Sequence, residues 1–180
     1  MAVLRTSRLT LEPITLAMVE AVMVGRREDA EQVAEASLPA AWPNRALIER
    51  AFTASLEEIR ADPETRLWGD RLMVLSDEND GKIGRRVVGS IIFHGRPVED
   101  GIAEIAYGVE ESSQGQGIAT EATGACVRWA LGQAEVRAVR ATTLPWHKAS
   151  LRVIEKLGMK LVATRDHDVL GELLVFEIRG

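Results

Sequence analysis

The spacing of apolar residues along the chain changes period twice. "RLTLE" (Arg8 to Glu12) alternates apolar and polar positions and reads as a strand, whereas "ITLAMVEAVM" sets Leu16, Val19 and Met23 at helical spacing. An acidic helix is expected near Asp29 to Ala36. "LPAAWPN" ends at Asn44, an N-cap residue for a further helix with Ile48, Phe52, Ser55 and Ile59 on one face. In the middle of the chain the period falls to two. "RLMVL" and "VVGSIIF" are β-rich runs joined by "SDENDGKIGR", whose Asp80-Gly81 is a hairpin signal, and "AEIAYGV" (Ala103 to Val109) follows the loop "HGRPVEDG". Helical spacing returns after a glycine loop, with Ala122, Ala125, Cys126, Trp129 and Ala130 on one face. "VRATTL" then predicts a strand, "HKASLRVIEKLG" a helix closed by Gly158, and "MKLVAT" with "LLVFEI" a strand pair around "RDHD". The expected order is β-α-α-α-β-β-β-α-β-α-β-β, a mixed sheet with helices on both faces.

Composition narrows the classes. At 180 residues the chain is expected to be one domain, residues 1–180, and folding should bury roughly 70% of the surface that the unfolded chain exposes. With 22 basic against 27 acidic residues the net charge is -5, which argues against a sequence-independent grip on nucleic acid or an anionic membrane. The single cysteine, Cys126, cannot form an internal disulfide, and a reducing cytoplasm is the expected location. The amino end "MAVLRTSRLTLEP" lacks the apolar core of a signal peptide, and no apolar run approaches membrane-spanning length. His94 and His167 show no metal-ligand spacing, and no metal site is expected.

The chemistry is expected at "SSQGQGIATEA", residues 112 to 122. Gly115 and Gly117 permit positive φ and close approach of a ligand to the main chain. Three readings fit. A dinucleotide-binding βαβ unit requires G-x-G-x-x-G and an acid ending the second strand, but Thr120 stands where the third glycine should be and "TTLPWH" carries no acid. A diphosphate at a helix start needs only successive main-chain N–H groups and the helix dipole. The third reading is a tight strand-to-helix turn with no ligand.

Together these residues resemble the GNAT superfamily of N-acetyltransferases, in particular the branch that includes ribosomal-protein N-terminal acetyltransferases. Gln114, Gly117 and Ala119 meet the superfamily motif Q/R-x-x-G-x-G/A, and "IAYGVEESSQGQGIATEA" with "HKASLRVIEKLGM" is similar to the paired motifs of the branch. The resemblance runs from Arg8 to Ile178. It implies an α/β fold with a mixed, mostly antiparallel sheet of about seven strands flanked by helices, splayed between the fourth and fifth strands, where Gly108 would ease a bulge. It implies acetyl-coenzyme A with its pyrophosphate on Gly115, Gln116, Gly117, Ile118, Ala119 and Thr120, and its pantetheine arm in the splay. The main-chain N–H at Val109 is then expected to face the thioester carbonyl. His147 replaces an asparagine that holds the arm, Gln116 replaces a frequent basic residue, and Ser150 matches the serine of the branch motif.

Acetyl transfer to an amine requires orientation, a held oxygen, loss of one proton and protonation of a thiolate, with no covalent nucleophile. Cys126, on an apolar helix face, reads as an inert core residue. Glu104 shares its strand face with Ala106 and Gly108, which leaves room for a ligand; it reads equally as a base and as a solvated or ion-paired strand residue. Ser150 can donate to the leaving thiolate or simply satisfy a helix-start N–H, while Ile154 stands where many superfamily members carry a tyrosine acid. Trp42, Trp68 and Trp146 are read as packing residues, with a wall of the acceptor pocket as the alternative, and acceptor recognition is expected from about Ala34 to Asn44 and Arg165 to Glu172. The acceptor is expected to be a protein amino terminus or a small amine, with monomer and homodimer both open. A quiet acyl-coenzyme A sensor is the rival class.

Overall fold

The computed structural model describes residues 2–40, 56–79 and 82–180. Its centre is an eight-stranded sheet of order β1-β2-β3-β4-β5-β6-β8-β7. The strands are β1 (Leu4–Arg5), β2 (Leu9–Pro13), β3 (Arg71–Asn79), β4 (Lys82–Phe93), β5 (Ile102–Val109), β6 (Ala138–Thr143), β7 (Lys160–His167) and β8 (Gly171–Arg179). Neighbours run antiparallel except β5 and β6. The mixed, mostly antiparallel sheet is as expected, and the strand beyond the expected seven or so is β1, two residues long and too short to show a period. The helices are α1 (Leu16–Met23), α2 (Arg27–Ala34), α3 (Leu56–Ala61), α4 (Pro63–Arg66), α5 (Ile118–Leu131) and α6 (Lys148–Lys156). The expected helix through Ile48 and Phe52, its Asn44 cap, Trp42 and the Asp80-Gly81 turn lie outside the described residues.

Alternation along β3 sorts the two cores. Leu72 and Val74 pack with Val87 against Met18, Ala21, Ala30 and Ala34 of α1 and α2. Met73 packs on the opposite face with Ile118, Ala122, Cys126 and Ala130 of α5. Helices therefore cover both faces, as the apolar periods predict. Thr15 caps α1 through a hydrogen bond from the Met18 N–H, and Glu35 ends α2 in the left-handed region at φ 47°. "RDHD" is not a loop throughout: Arg165, Asp166 and His167 extend β7, because the ladder to Leu173, Glu172 and Gly171 continues to the turn.

The feature that positions the site is the short pairing of β5 with β6. Their parallel ladder covers only Ile102↔Ala138, Ala103↔Val139 and Glu104↔Arg140. Beyond it β5 stays with β4 through Val109, while β6 stays with β8 through Thr143. The two strands separate into a V with Glu104 at its vertex. Gly108 does not bulge, since it pairs regularly with Ser90; the irregularity of β4 falls instead on its other edge, opposite Met73 and Val74. The residue that the close approach requires is Gly89, where a Cβ would lie 2.2 Å from the Gly108 carbonyl oxygen.

Candidate active site

The glycine loop stands at the mouth of this V. Gly115 and Gly117 adopt φ of 74° and 79°, and Gly117 is the N-cap residue of α5 with no side chain to cap it. The first intrahelical bond runs from the Glu121 N–H to the Gly117 carbonyl, 3.0 Å. Ile118, Ala119 and Thr120 therefore begin the helix with main-chain N–H groups that have no acceptor inside it. The positive end of the α5 dipole adds to these donors. Such a cradle fits a diphosphate.

The side chains around the loop are used to build it. Gln114 Nε2 donates to the Val109 carbonyl at 3.0 Å, and Gln116 Nε2 to the Ser112 carbonyl at 3.2 Å. Ser112 Oγ donates to Glu110 at 2.6 Å, and Ser113 Oγ also donates to that carboxylate. The serines thus close the turn after β5. Their hydroxyls, with Arg86 beside them, hold the Glu110 carboxyl below the usual range.

Val109 connects loop and V. The Glu110 N–H donates to Val88 and the His94 N–H to the Glu104 carbonyl, so even-numbered residues of β5 exchange hydrogen bonds with β4. By antiparallel alternation the Val109 N–H points the other way, into the gap that β6 has left. Ser150, 9% exposed, lies in the first turn of α6, where its hydroxyl is 3.0 Å from that of Tyr107. The Tyr107 hydroxyl also donates to the Ser150 carbonyl at 3.3 Å. Nothing in the sequence pairs Tyr107 with Ser150, 43 residues away; the only signal was that Tyr107 is the chain's sole tyrosine. Ile154, in the position of the absent tyrosine acid, is buried in the core.

Glu104 is set apart from this group. At the vertex it faces Arg140 in register, and Thr142 Oγ1 donates to its carboxylate at 2.8 Å. Arg140 itself is paired to Glu177 at 2.6 Å, so its charge is answered elsewhere. His147 is the exposed N-cap residue of α6, makes no side-chain cap bond, and carries Trp146 against it at 5.9 Å between ring centroids. Trp146 is 69% exposed and not a packing residue, whereas Trp68 stacks in the core with Phe93 and Trp129. Burial pushes the Cys126 thiol up to about 12, which makes it inert. The buried Asp70 and Arg71 are perturbed by desolvation too, but Arg71 lies against Trp129 in the core, away from the loop.

A residue overlooked in the sequence also belongs to the loop. Arg8, in the turn before β2, donates through Nε to Glu121 at 2.7 Å and through Nη1 to the Gln116 carbonyl at 2.9 Å. The loop that lacks its own cation thus has one delivered from the start of the chain.

Comparison with known proteins gives the same direction. The model of the acetyltransferase (GNAT) domain family matches residues 8–160. An uncharacterized N-acetyltransferase of Bacillus subtilis, YjdG, is 26% identical over 163 residues, which cover 89% of this chain and 91% of that protein. A GNAT-family acetyltransferase of Bacillus anthracis superposes with a TM-score of 0.64 at 17% identity, covering 99% of this chain and 98% of its own. RimL, a ribosomal L7/L12 alpha-N-protein acetyltransferase solved with coenzyme A, superposes with a TM-score of 0.62 at 16% identity over 99% and 98% of the two chains. At these identities the two structures establish likeness of fold. Among the described residues no helix is long and apolar enough to cross a membrane.

Proposed function

The chain belongs to the acetyltransferase (GNAT) family and is an N-acetyltransferase with acetyl-coenzyme A as donor, and from this premise we propose direct transfer to a primary amine within a ternary complex. The observation that carries the reading is the conjunction of unsatisfied N–H groups at the start of α5 with the V between β5 and β6. Gly115 to Thr120 bind the pyrophosphate, and the pantetheine arm follows the V past His147 and Ser150. When bound, acetyl-coenzyme A supplies the thioester carbonyl that an amine attacks.

The chain's own residues then have separable tasks. The Val109 N–H donates to the carbonyl oxygen, where negative charge develops as the amine attacks. Gln114 fixes the Val109 carbonyl and hence the turn that carries this strand end. Ser150 Oγ donates a hydrogen bond to the departing sulfur, which leaves as thiolate and takes its proton from solvent, and the Tyr107 hydroxyl orients that serine. Because a thiol is a far better leaving group than an alcohol, a hydrogen bond from a serine suffices. Glu104 accepts the amine's proton through ordered water, held by Thr142 in a fixed orientation.

The acceptor is a protein amino terminus or a small-molecule amine; RimL, with the same fold, acts on a ribosomal protein by its name. The test is thiol release from acetyl-coenzyme A with a panel of peptides bearing free amino termini and of small amines. Turnover above hydrolysis with any of them supports direct transfer. Ping-pong kinetics or a trapped acetyl-enzyme would exclude it.

A further inference from the structure

Resting on the cofactor placement above, we infer that Arg8 and Glu121 form a clasp that sets the orientation of the Gln116–Gly117 peptide, and so aims the Gly117 N–H at the pyrophosphate.

Glu121 lies in the first turn of α5, yet donors to its carboxylate come from 113 to 115 residues earlier. Oε1 accepts from Thr6 Oγ1 at 2.6 Å, Ser7 Oγ at 2.9 Å and the Arg8 N–H at 3.0 Å. Oε2 accepts from Arg8 Nε at 2.7 Å and lies 2.6 Å from Arg8 Nη2. The segment that brings them is itself closed, with the Thr6 N–H donating to the Leu9 carbonyl at 2.9 Å and the Leu9 N–H to Thr6 Oγ1 at 2.9 Å. Burial raises the Glu121 carboxyl, but the bonds from Thr6, Arg8 and Ser7 outweigh it and hold the group down to about 2. The Glu121 carboxyl of the clasp is therefore ionised at neutral pH.

Its consequence lies in the remaining arm of the guanidinium. Arg8 Nη1 donates to the Gln116 carbonyl at 2.9 Å. In a planar trans peptide the carbonyl of residue 116 and the N–H of residue 117 point in opposite directions. Holding the oxygen toward Arg8 therefore turns the Gly117 N–H away from Arg8. The orientation of this peptide is set by ψ of Gln116 and φ of Gly117, and Gly117, at φ 79°, has no Cβ to restrict the second of these. The missing side chain that lets the loop approach phosphate also lets this peptide flip. Glu121 holds Arg8 in the bidentate geometry that a point charge would not keep. Both are positioning residues, since neither needs to touch the ligand.

An electrostatic account predicts the opposite sign for one variant, which makes the idea testable. Removing a carboxylate near a pyrophosphate should tighten binding if only charge matters; it should weaken binding if Glu121 orders the loop. The experiment is calorimetric titration of coenzyme A into wild type, Glu121→Gln and Arg8→Lys, with thermal unfolding and the 15N-labelled Gly117 amide signal followed in the ligand-free proteins. Expected are a Kd about tenfold higher in both variants and a displaced or split Gly117 signal, with amide signals beyond Ala125 in place. Arg8→Lys keeps the charge and so serves where Glu121→Gln fails to fold. An unchanged or lower Kd, an unmoved Gly117 signal, or a Kd that rises only in step with lost stability overturns the clasp. Wild type that binds no coenzyme A overturns the cofactor placement itself.

Discussion

Replacing Gly89 by alanine should damage stability and catalysis together, through one measurable displacement. Gly89 lies on β4 opposite Val109, and a Cβ there would be 2.2 Å from the Gly108 carbonyl oxygen and 3.0 Å from the Val109 Cα. An ordinary carbon–oxygen approach is about 3.3 Å, so β5 must retreat by roughly 1 Å. Neighbours that are backbone cannot swing aside as a flexible side chain would. Overpacking of this kind costs about 1 to 3 kcal/mol. For a chain of this length each kcal/mol moves Tm by about 2 to 4 °C, giving a loss of about 2 to 12 °C. The same retreat carries the Val109 N–H with it, and a misplacement of about 1 Å in a reacting geometry can cost around a hundredfold. The assays are differential scanning calorimetry and kcat with the best acceptor at saturating acetyl-coenzyme A. A variant with wild-type Tm and wild-type kcat would refute both the tight β4–β5 approach and the role of the Val109 N–H.

Other substitutions separate the parts of the site. Gly117→Arg should raise the Kd for acetyl-coenzyme A more than tenfold, because φ is 79° and a Cβ there lies 3.6 Å from Arg8 Nη2, so that the new cation strains the loop and displaces Arg8; titration of the folded variant at wild-type affinity would remove the pyrophosphate from this loop. Glu104→Gln should lower turnover while cofactor affinity stays; unaltered kcat/KM in the folded variant would eliminate Glu104 as base. The depressed Glu121 carboxyl has a signed consequence for stability. Its folded value, about 2, lies below the ordinary 4.5, so its contribution is complete above about pH 5 and is lost as pH falls toward 2. The stability gap between wild type and Glu121→Gln, measured by urea unfolding, should therefore shrink over that window and stay flat above it.

What the sequence made legible was local. Leu16, Val19 and Met23, the Asp80-Gly81 signal and the positive φ demanded at Gly115 and Gly117 are properties of a few consecutive residues, and apart from Asp80-Gly81, which lies outside the described residues, each appears in the structure as an element or a loop. The face shared by Ala122, Ala125, Cys126 and Ala130 was legible for the same reason, as one side of a helix. Contacts set by tertiary packing were not. Arg8 and Glu121 are separated by 113 residues, and nothing in "SRLT" or "ATEA" alone announces a partner. Tyr107 and Ser150 meet only because β5 and α6 pack beside the same gap. The end of β5–β6 pairing after Glu104 depends on the path of two whole strands, so its position came from resemblance and its register from the structure. The partner of Ser112 and Ser113 was not legible either: both hydroxyls donate to the Glu110 carboxylate, which the turn after β5 brings beside them.

The most direct test of the central claim is a thermal-shift titration with acetyl-coenzyme A, free coenzyme A, NAD and ATP in parallel. A ligand at a hundred times its Kd adds about 2.7 kcal/mol, so Tm should rise by about 5 to 11 °C. The account predicts that rise with both coenzyme A species and none with NAD. A rise with NAD alone, or no response to coenzyme A, would contradict it.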